Sequence, residues 1–349
     1  MSIPHAAAPR RATISDVARE AGTGKTSISR YLNGETSVLS PELRARIEAA
    51  IDRLDYQPNQ MARGLKRGRN RLIGMLVADL TNPYSVEVLQ GVEAACQALG
   101  YMPLICHAAN EVEMERRFLQ LLTTYRVEGV IVNAIGVREE TLRPVGEGGI
   151  PAVLVDRTVD GLVADMVGLD NAGAVELGAH HLLEGGFGEI WFVVQPFERV
   201  SSRRLREAAF REAMSAAAGA RGRTVVLDLG DAAVLESTLA ELDLALDNAL
   251  AASEGNRIAL FAANAPVALC LARHLKMRYG AAWQARLALL SIDDPEWAEL
   301  TGVTTIRQPT FQIGYRAVEF LHERIDDGHA AARDCLLAGE LIVRASTSR

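Results

Sequence analysis

The sequence predicts an α/β protein in which a small all-α domain precedes a two-lobed core of parallel sheets. Three observations predict this fold: a charge difference between two parts of the chain, helical spacing of apolar residues near the N-terminus, and alternating strand-like and helix-like segments after residue 71. The length of 349 residues favours two or three domains with sizeable cores. A hydrophobic content of 49% with 23% charged residues excludes a largely disordered chain.

The net charge of −7 hides an uneven distribution along the chain. Residues 1–71 contain 13 Lys and Arg against 7 Asp and Glu, whereas residues 72–349 contain 24 against 37. The basic part ends in a run from Arg63 to Arg71 with five cations and no acid. A run of cations is often only a solvated face, but a basic domain beside an acidic one indicates a polyanionic partner for the basic domain.

Membrane, secreted, metal-binding and enzymatic classes find no support in the sequence. The longest apolar stretch, residues 258–272, is too short and too interrupted for a membrane helix, and no apolar run follows the first arginines as in a secretory signal. The four cysteines are widely spaced, which fits reduced thiols without a disulfide framework or metal site. The sequence has no G-x-S-x-G nucleophile motif, and its glycine-rich segment 185–188 precedes a strand instead of following one. We therefore expect a cytoplasmic protein that is not an enzyme and that binds no cofactor, metal or membrane.

Residues 11–58 carry the pattern of a helix-turn-helix domain, in which two helices joined by a glycine turn fall within about 20 residues. Ile28 and Leu32 lie four apart and should pack inward, which turns the polar side chains of the second helix outward. In this motif the second helix enters the major groove, where base edges carry a donor and acceptor pattern. A third helix is predicted after Ser40 and Pro41, which suit the N-cap and first helical positions. The alternative is a small three-helix bundle with a polar face.

After residue 71, short apolar runs alternate with segments of helical periodicity, as in Ile190–Val194 and Asn171–Leu183. Buried strands alternating with helices predict parallel sheets in α/β layers. About 270 residues of this pattern exceed one comfortable core, so two lobes with a cleft between them are expected. The predicted parts of the chain are a disordered leader (1–10), the helix-turn-helix domain (11–58), a hinge helix and linker (59–71), a first lobe (about 72–168 and 305–330) and a second lobe (about 169–304 and 331–349).

Several segments of the chain carry recognisable motifs in a fixed order: 13–22 (TISDVAREAG), 27–34 (SISRYLNG), 54–59 (LDYQPN), 72–74 (LIG), 82–84 (NPY), 304–309 (TTIRQP) and 341–347 (LIVRAST). In order and spacing they resemble the LacI/GalR family of bacterial repressors over nearly the whole chain. The resemblance implies a homodimer that binds a pseudo-palindromic double-stranded DNA operator. It also implies a periplasmic-binding-protein-like core that binds a small effector between its lobes. Within the family, segments 24–26 and 65–68 most resemble repressors of 2-ketogluconate utilisation.

By this resemblance, residues of the helix-turn-helix domain and the hinge contact DNA. They are Thr13, Lys25, Thr26, Ser29, Arg30, Asn33, Asn59, Ala62, Arg63 and Leu65. In the family the hinge becomes helical when two copies pair over the operator, since seven residues are too few for an isolated helix. Leu65 occupies the position of an apolar wedge in the minor groove. Gly24 departs from the family's usual serine, so a helix-cap hydroxyl is missing there.

The resemblance also implies an effector site at strand ends between the lobes. The expected residues are Tyr84, Ser85, Asp156, Arg204, Arg206, Asn264, Asp293 and Gln308. Ala265 departs from the acid that is usual in the family. Four arginines lie between positions 199 and 206, and arginine pairs bidentately with a carboxylate, so a sugar acid is preferred as effector. The alternatives are a neutral sugar, or a sugar-binding module without operator specificity.

Overall fold

The computed structural model describes residues 11–58, 69–134, 149–159, 163–252, 257–326 and 331–348. The chain divides between Asn70 and Arg71 into two compact units, an N-terminal head and a core. The predicted leader and most of the predicted hinge lie outside the described residues. The DNA contacts expected from Asn59, Ala62, Arg63 and Leu65 therefore stay predictions.

The head contains the three α-helices that the sequence predicts. They are α1 (Ile14–Glu20), α2 (Lys25–Leu32) and α3 (Pro41–Arg53), with a short 3-10 turn at Thr36–Val38. Thr13 caps α1 in a capping box, and the Ser40 hydroxyl accepts from the backbone N–H of Leu43 at 3.3 Å. Ile28 of α2 is fully buried against the other two helices, with Leu32 packed beside it. The predicted inward face of α2 is confirmed.

The described part of the core contains two six-stranded sheets. The first consists of β1 (Leu72–Val77), β2 (Met102–His107), β3 (Gly129–Asn133), β4 (Ala152–Val155), β5 (Asp165–Leu169) and β11 (Asp334–Leu337), in the order β11-β5-β4-β3-β1-β2 and parallel throughout. The second consists of β6 (Phe187–Val194), β7 (Arg221–Val226), β8 (Arg257–Ala262), β9 (Leu287–Ile292), β10 (Thr304–Arg307) and β12 (Glu340–Ile342), in the order β12-β10-β9-β8-β6-β7 with only β12 antiparallel. Their central strands are buried along their whole length, as continuous apolar runs in parallel sheets are.

Helices cover both sheets. They are α4 (Pro83–Leu99), α5 (Val112–Thr124), α6 (Asn171–Glu184), α7 (Ser201–Ala216), α8 (Ala232–Ala252), α9 (Ala265–Tyr279), α10 (Glu296–Thr301) and α11 (Thr310–Asp326), with 3-10 turns at Trp283–Ala285 and Ala345–Thr347. Each sheet buries apolar clusters on its two faces. None of the helices in the described residues is long and apolar enough to cross a membrane.

One strand near the C-terminus, β11, belongs to the other lobe than the sequence predicted, and another, β10, lies across the predicted boundary. β10 pairs with β9 in the second sheet, so the second lobe extends to Arg307, a few residues past the predicted boundary at about residue 304, and α11 belongs to the first lobe as predicted. β11 pairs with β5 in the first sheet, although residues from 331 onward were expected in the second. The chain therefore crosses between the lobes after β5, after β10 and after β11. Strand and helix patterns give the order of elements, but the sheet that a short strand joins depends on contacts with distant residues.

Candidate functional site

The outward face of α2 presents the polar side chains that the sequence assigned to DNA. Lys25, Thr26 and Arg30 are exposed, and Ser29 and Asn33 are half-buried at its edge. α2 carries no acidic residue, so this face is cationic. The arrangement suits the edges of bases, which arginine and lysine read as donors, and the phosphates beside them.

Thr13 and Gly24 occupy the N-cap positions of α1 and α2, and only Thr13 caps its helix with a side chain. The Thr13 hydroxyl donates to the Asp16 carboxylate at 2.6 Å and accepts from the Asp16 backbone N–H at 3.4 Å, so its first task is to cap α1. Gly24 occupies the N-cap position of α2, and no side chain of the described head caps that helix. The predicted absence of a cap hydroxyl at Gly24 is confirmed.

Two aspartates mark the strand ends in the cleft of the core. Asp156 follows β4 and Asp293 follows β9, with φ angles of 67° and 76°. Aspartate tolerates this left-handed conformation better than most residues do. In both cases the backbone N–H donates to the neighbouring strand, to the carbonyl of Val167 or Ile306. The two turns hold both carboxylates at the carboxyl ends of parallel strands, where α/β sheets bind ligands.

Arg206 lies on α7 and is 5% exposed. Its Nε donates to Asn171 Oδ1 and its Nη1 donates to the carbonyl oxygen of Ala263, both at 2.7 Å. Its Nη2 lies 3.9 Å from Asp156 Oδ1. Arg206 thus contacts the start of α6, the end of β8 and the end of β4.

Asp293 accepts from the backbone N–H of Ala265 at 2.9 Å and from Gln308 Nε2 at 2.5 Å. Burial raises the pKa of Asp293, although the charge of Arg206 and these two hydrogen bonds oppose that shift. Asn264 caps α9 through Val267 and donates to Gln195 Oε1 at 2.8 Å. Carboxylate and amide groups of this kind form multiple hydrogen bonds with a ligand that carries several hydroxyls.

Tyr84 and Ser85 lie buried in the first turn of α4. Among the described residues, the Tyr84 hydroxyl and Gln308 Oε1 have no hydrogen-bond partner although both are buried. Burial, with the charge of Asp156, holds the pKa of Tyr84 well above its usual range. Unpaired buried polar atoms are rare in folded proteins, so these two groups are suited to receive a ligand.

A cavity of about 340 Å³ joins three of the expected residues, Tyr84, Asp293 and Gln308. Its wall also includes Ala265 at the position where the family has an acid, and Glu87 and Thr310, which share a 2.5 Å hydrogen bond. The arginine in this wall is Arg307, which forms an ion pair with Asp294 at 2.7 Å. Asp156 and Arg206 act on the pKa values of both Tyr84 and Asp293. These five expected residues therefore form one group in the core.

Arg204 does not belong to this group, contrary to the expectation from the sequence. It is exposed, and its Nη1 donates to the carbonyl oxygen of Glu198 at 3.4 Å. Two residues along an α-helix correspond to about 200° of rotation, so Arg204 and Arg206 lie on opposite faces of α7. The expected site residues did not include Arg157, which lies beside Asp156, or Arg203, which the sequence offered only as one of four clustered arginines. Their signals were the position of Arg157 directly after Asp156 and the spacing of three between Arg203 and Arg206.

These two sites define a DNA-binding transcriptional regulator with a ligand-binding core. Residues 13–59 match the family model of bacterial regulatory proteins of the lacI family, and residues 179–347 match that of the periplasmic binding protein-like domain. The regulator PtxS of Pseudomonas aeruginosa is 42% identical over 97% of this chain and 96% of its own, and KdgR of Bacillus subtilis is 33% identical over 96% and 97%. The Lac repressor dimer bound to operator and an anti-inducer has a TM-score of 0.81 at 22% identity, covering 97% of this chain and 100% of that one.

The chain belongs to the LacI family. The fold and the family that the sequence predicted are confirmed. The relatives named above are transcriptional regulators, and this chain is a regulator and not an enzyme.

Proposed function

We propose that this regulator is a homodimeric repressor of carbohydrate catabolism that a sugar acid, such as 2-ketogluconate, releases from its operator. The observation that carries the choice of effector is the set of three arginines, Arg157, Arg203 and Arg206, around the one carboxylate of Asp156. A carboxylate is the natural partner of buried arginine, whereas a neutral sugar leaves such charges uncompensated. The likeness of segments 24–26 and 65–68 to repressors of 2-ketogluconate utilisation supports the same class of ligand. The protein acts in the bacterial cytoplasm, bound to the nucleoid.

In the proposed complex, α2 enters the major groove. Its exposed Lys25, Thr26 and Arg30 contact base edges, with Ser29 and Asn33 at the margin. The hinge residues of two copies pair over the centre of the operator. A two-fold axis relates the protomers, so the half-sites are pseudo-palindromic and lie about one helical turn apart. A stable tetramer in light scattering at micromolar concentration contradicts this assembly.

Release of the operator follows from a difference in effector affinity between two arrangements of the lobes. A ligand that contacts both sides of the cleft favours one arrangement, and it shifts the equilibrium only by its differential affinity, typically about 1–3 kcal/mol. The marginal hinge segments pair in one arrangement and separate in the other. The effector and the operator therefore weaken each other's binding by the same factor.

A binding experiment on the full chain tests both halves of the proposal. The operator is first selected from random duplexes, and its affinity is measured against salt beside a random duplex. The variant R30A should lose roughly 1–3 kcal/mol on the operator and little on random DNA, because a base contact discriminates and a phosphate contact does not. The matched control R19A removes an exposed arginine of α1 and should keep the discrimination.

The effector half is tested on the same complex. Addition of 2-ketogluconate or gluconate should release the operator at concentrations where glucose does not. Binding of the sugar acid without sequence-selective DNA binding would make the chain a sugar-binding module. Release by glucose alone would favour a neutral effector.

A further inference from the structure

Arg71, the first residue of the core, has a backbone conformation that arginine rarely adopts. Its φ angle is 58°, in the left-handed region that favours glycine. Residues other than glycine persist there only where their surroundings enforce the conformation. The predicted hinge and linker end at this residue, so the chain enters β1 through a turn that contacts from the core must hold.

Both backbone polar groups of Arg71 are bound by the core, one on each side of β1. The Arg71 N–H donates to Glu128 Oε1 at 2.6 Å, and the Arg71 carbonyl oxygen accepts from the N–H of Met102 at 2.8 Å. Glu128 directly precedes β3 and Met102 begins β2, and these two strands flank β1 in the sheet. Arg71 is thereby fixed between both neighbours of the strand that it precedes.

The side chain of Arg71 is held as well. Its guanidinium carbon lies 5.2 Å from the centre of the Tyr101 ring, within the range of a cation–π contact, and its Nη1 donates to the carbonyl oxygen of Leu99 at 3.5 Å. Tyr101 is 7% exposed, and its hydroxyl shares a 2.9 Å hydrogen bond with His322 Nδ1. His322 lies on α11, so Arg71 is connected through Tyr101 to a helix that packs in the core of the first lobe.

The Glu128 carboxylate is costly to place beside Arg71. Glu128 is half-buried, and its Oε2 has no hydrogen-bond partner among the described residues although that atom is buried. Burial of a carboxylate oxygen without a partner is unfavourable. β1 already pairs with β2 and with β3 along the sheet, so the strand itself does not need the Glu128 side chain to fix its position. The hydrogen bond from Arg71 to Glu128 therefore serves the point where the predicted hinge meets the core.

We propose that Arg71 anchors the hinge on the core, and that Glu128, Tyr101 and His322 are positioning residues for operator binding because they hold this anchor. The inference rests on the proposed function, in which the hinge segments of two copies pair over the centre of the operator. Such pairing requires each segment to leave its core at a fixed position. Ordering a backbone residue costs conformational entropy, and the core supplies this order before DNA binds. Random DNA, which is bound through its phosphates, does not require the hinge segments to pair.

Titration of the full chain with the selected operator and with a random duplex, followed by fluorescence anisotropy at one salt concentration, tests the anchor. E128A removes the acceptor of the Arg71 N–H. The ratio of operator to random-duplex affinity should then fall by at least about 10-fold, because one backbone residue of each protomer is freed. E128Q keeps an acceptor oxygen and should restore most of the ratio. H322A removes the hydrogen-bond partner of the Tyr101 hydroxyl and should lower the ratio by about 3-fold.

The matched control is E113A, which removes an exposed glutamate of α5 in the same lobe and should bind both duplexes like the wild type. Equal unfolding midpoints in urea verify that each variant is folded, and if E128A does not fold, H322A and Y101F carry the same comparison.

Three outcomes contradict the anchor. A wild type that prefers the operator, with E128A and H322A keeping the full preference, overturns this inference and leaves the proposed function standing. A loss of preference in E128A that E128Q does not restore assigns the effect to the charge of Glu128 and also overturns the inference alone. A wild type that binds both duplexes equally overturns the inference and the proposed function together.

Discussion

Replacing Gly91 or Gly314 by alanine tests how the first lobe is held together and how it positions Tyr84. The helices α4 and α11 cross so closely that a Cβ at Gly91 would lie 2.0 Å from the carbonyl oxygen of Phe311, and a Cβ at Gly314 would lie 2.0 Å from that of Val88. Real Cβ atoms keep at least 3.0 Å from such neighbours. The two backbones must therefore separate by about 1 Å to admit either methyl group.

The cost of this separation outweighs the gain in helix propensity. Alanine favours a helix interior over glycine by about 1 kcal/mol. When two packed atoms move apart by about 0.5–1 Å, they lose a quarter to a half of their van der Waals attraction. The helices bury Val92 and Ile313, among other apolar residues, in one cluster, so many contacts loosen at once. We expect each variant to lose about 3 kcal/mol of unfolding free energy. Both substitutions are relieved by the same movement, so G91A/G314A should cost at least about 1 kcal/mol less than the sum.

Urea unfolding followed by far-ultraviolet circular dichroism measures these losses. The matched control is A98G on the exposed face of α4, which should cost only the propensity difference of about 1 kcal/mol. Effector affinity should fall with stability in G91A, because the Glu87–Thr310 hydrogen bond joins the first turns of the same two helices. A G91A protein as stable as the wild type, or strict additivity in the double variant, would refute the tight crossing.

Three further substitutions separate stability from function. T13A removes the cap of α1 and should lower the unfolding free energy of the head by about 1 kcal/mol, measured by thermal melting; an unchanged melting temperature contradicts the capping role. Burial alone would raise the pKa of Asp165, but hydrogen bonds from Arg324 and Arg333 outweigh it and lower that pKa. The stabilisation by ionised Asp165 is therefore complete above the ordinary pKa of 3.8 and is lost as pH falls through the lowered pKa. D165N should lose about 3 kcal/mol of unfolding free energy at pH 7, and in urea titrations its unfolding free energy should change less with pH in the acid range. The raised pKa of Asp293 acts oppositely, because stability that is present below 3.8 is lost as pH rises through the raised pKa. In urea titrations D293N should therefore lose less stability than the wild type between acid and neutral pH, while losing effector response; an equal loss contradicts this.

Local signals made the head predictable from the sequence. The Ser40-Pro41 pair fixes the start of α3, because both side chains favour these positions through contacts within one turn. Ile28 and Leu32 define the buried face of α2 by their spacing alone. The alternation of strands and helices likewise predicted two parallel sheets in the core. Each of these inferences depends on residues that are near each other in the chain.

Long-range contacts made the remainder unpredictable. The sheet that β11 joins is decided by its pairing with β5, which lies about 170 residues earlier in the chain. The cluster of arginines between 199 and 206 suggested a cationic site, but composition could not separate Arg204, which is exposed, from Arg206, which is buried. Arg157 directly follows Asp156 in the sequence, but only the structure shows that its buried Nη1 has no partner among the described residues.

Two kinds of local cost occur together at the strand ends of the core, and each also occurs elsewhere in the described residues. Asp156 and Asp293 adopt positive φ angles, and non-glycine residues in that conformation persist only where the surroundings enforce it. Tyr84, Arg157 and Gln308 each bury a polar atom without a partner among the described residues. Natural sequences break local rules of this kind mainly at functional sites, where a bound group completes the hydrogen bonds. A bound ligand whose polar groups reach these atoms would complete the hydrogen bonds that they lack.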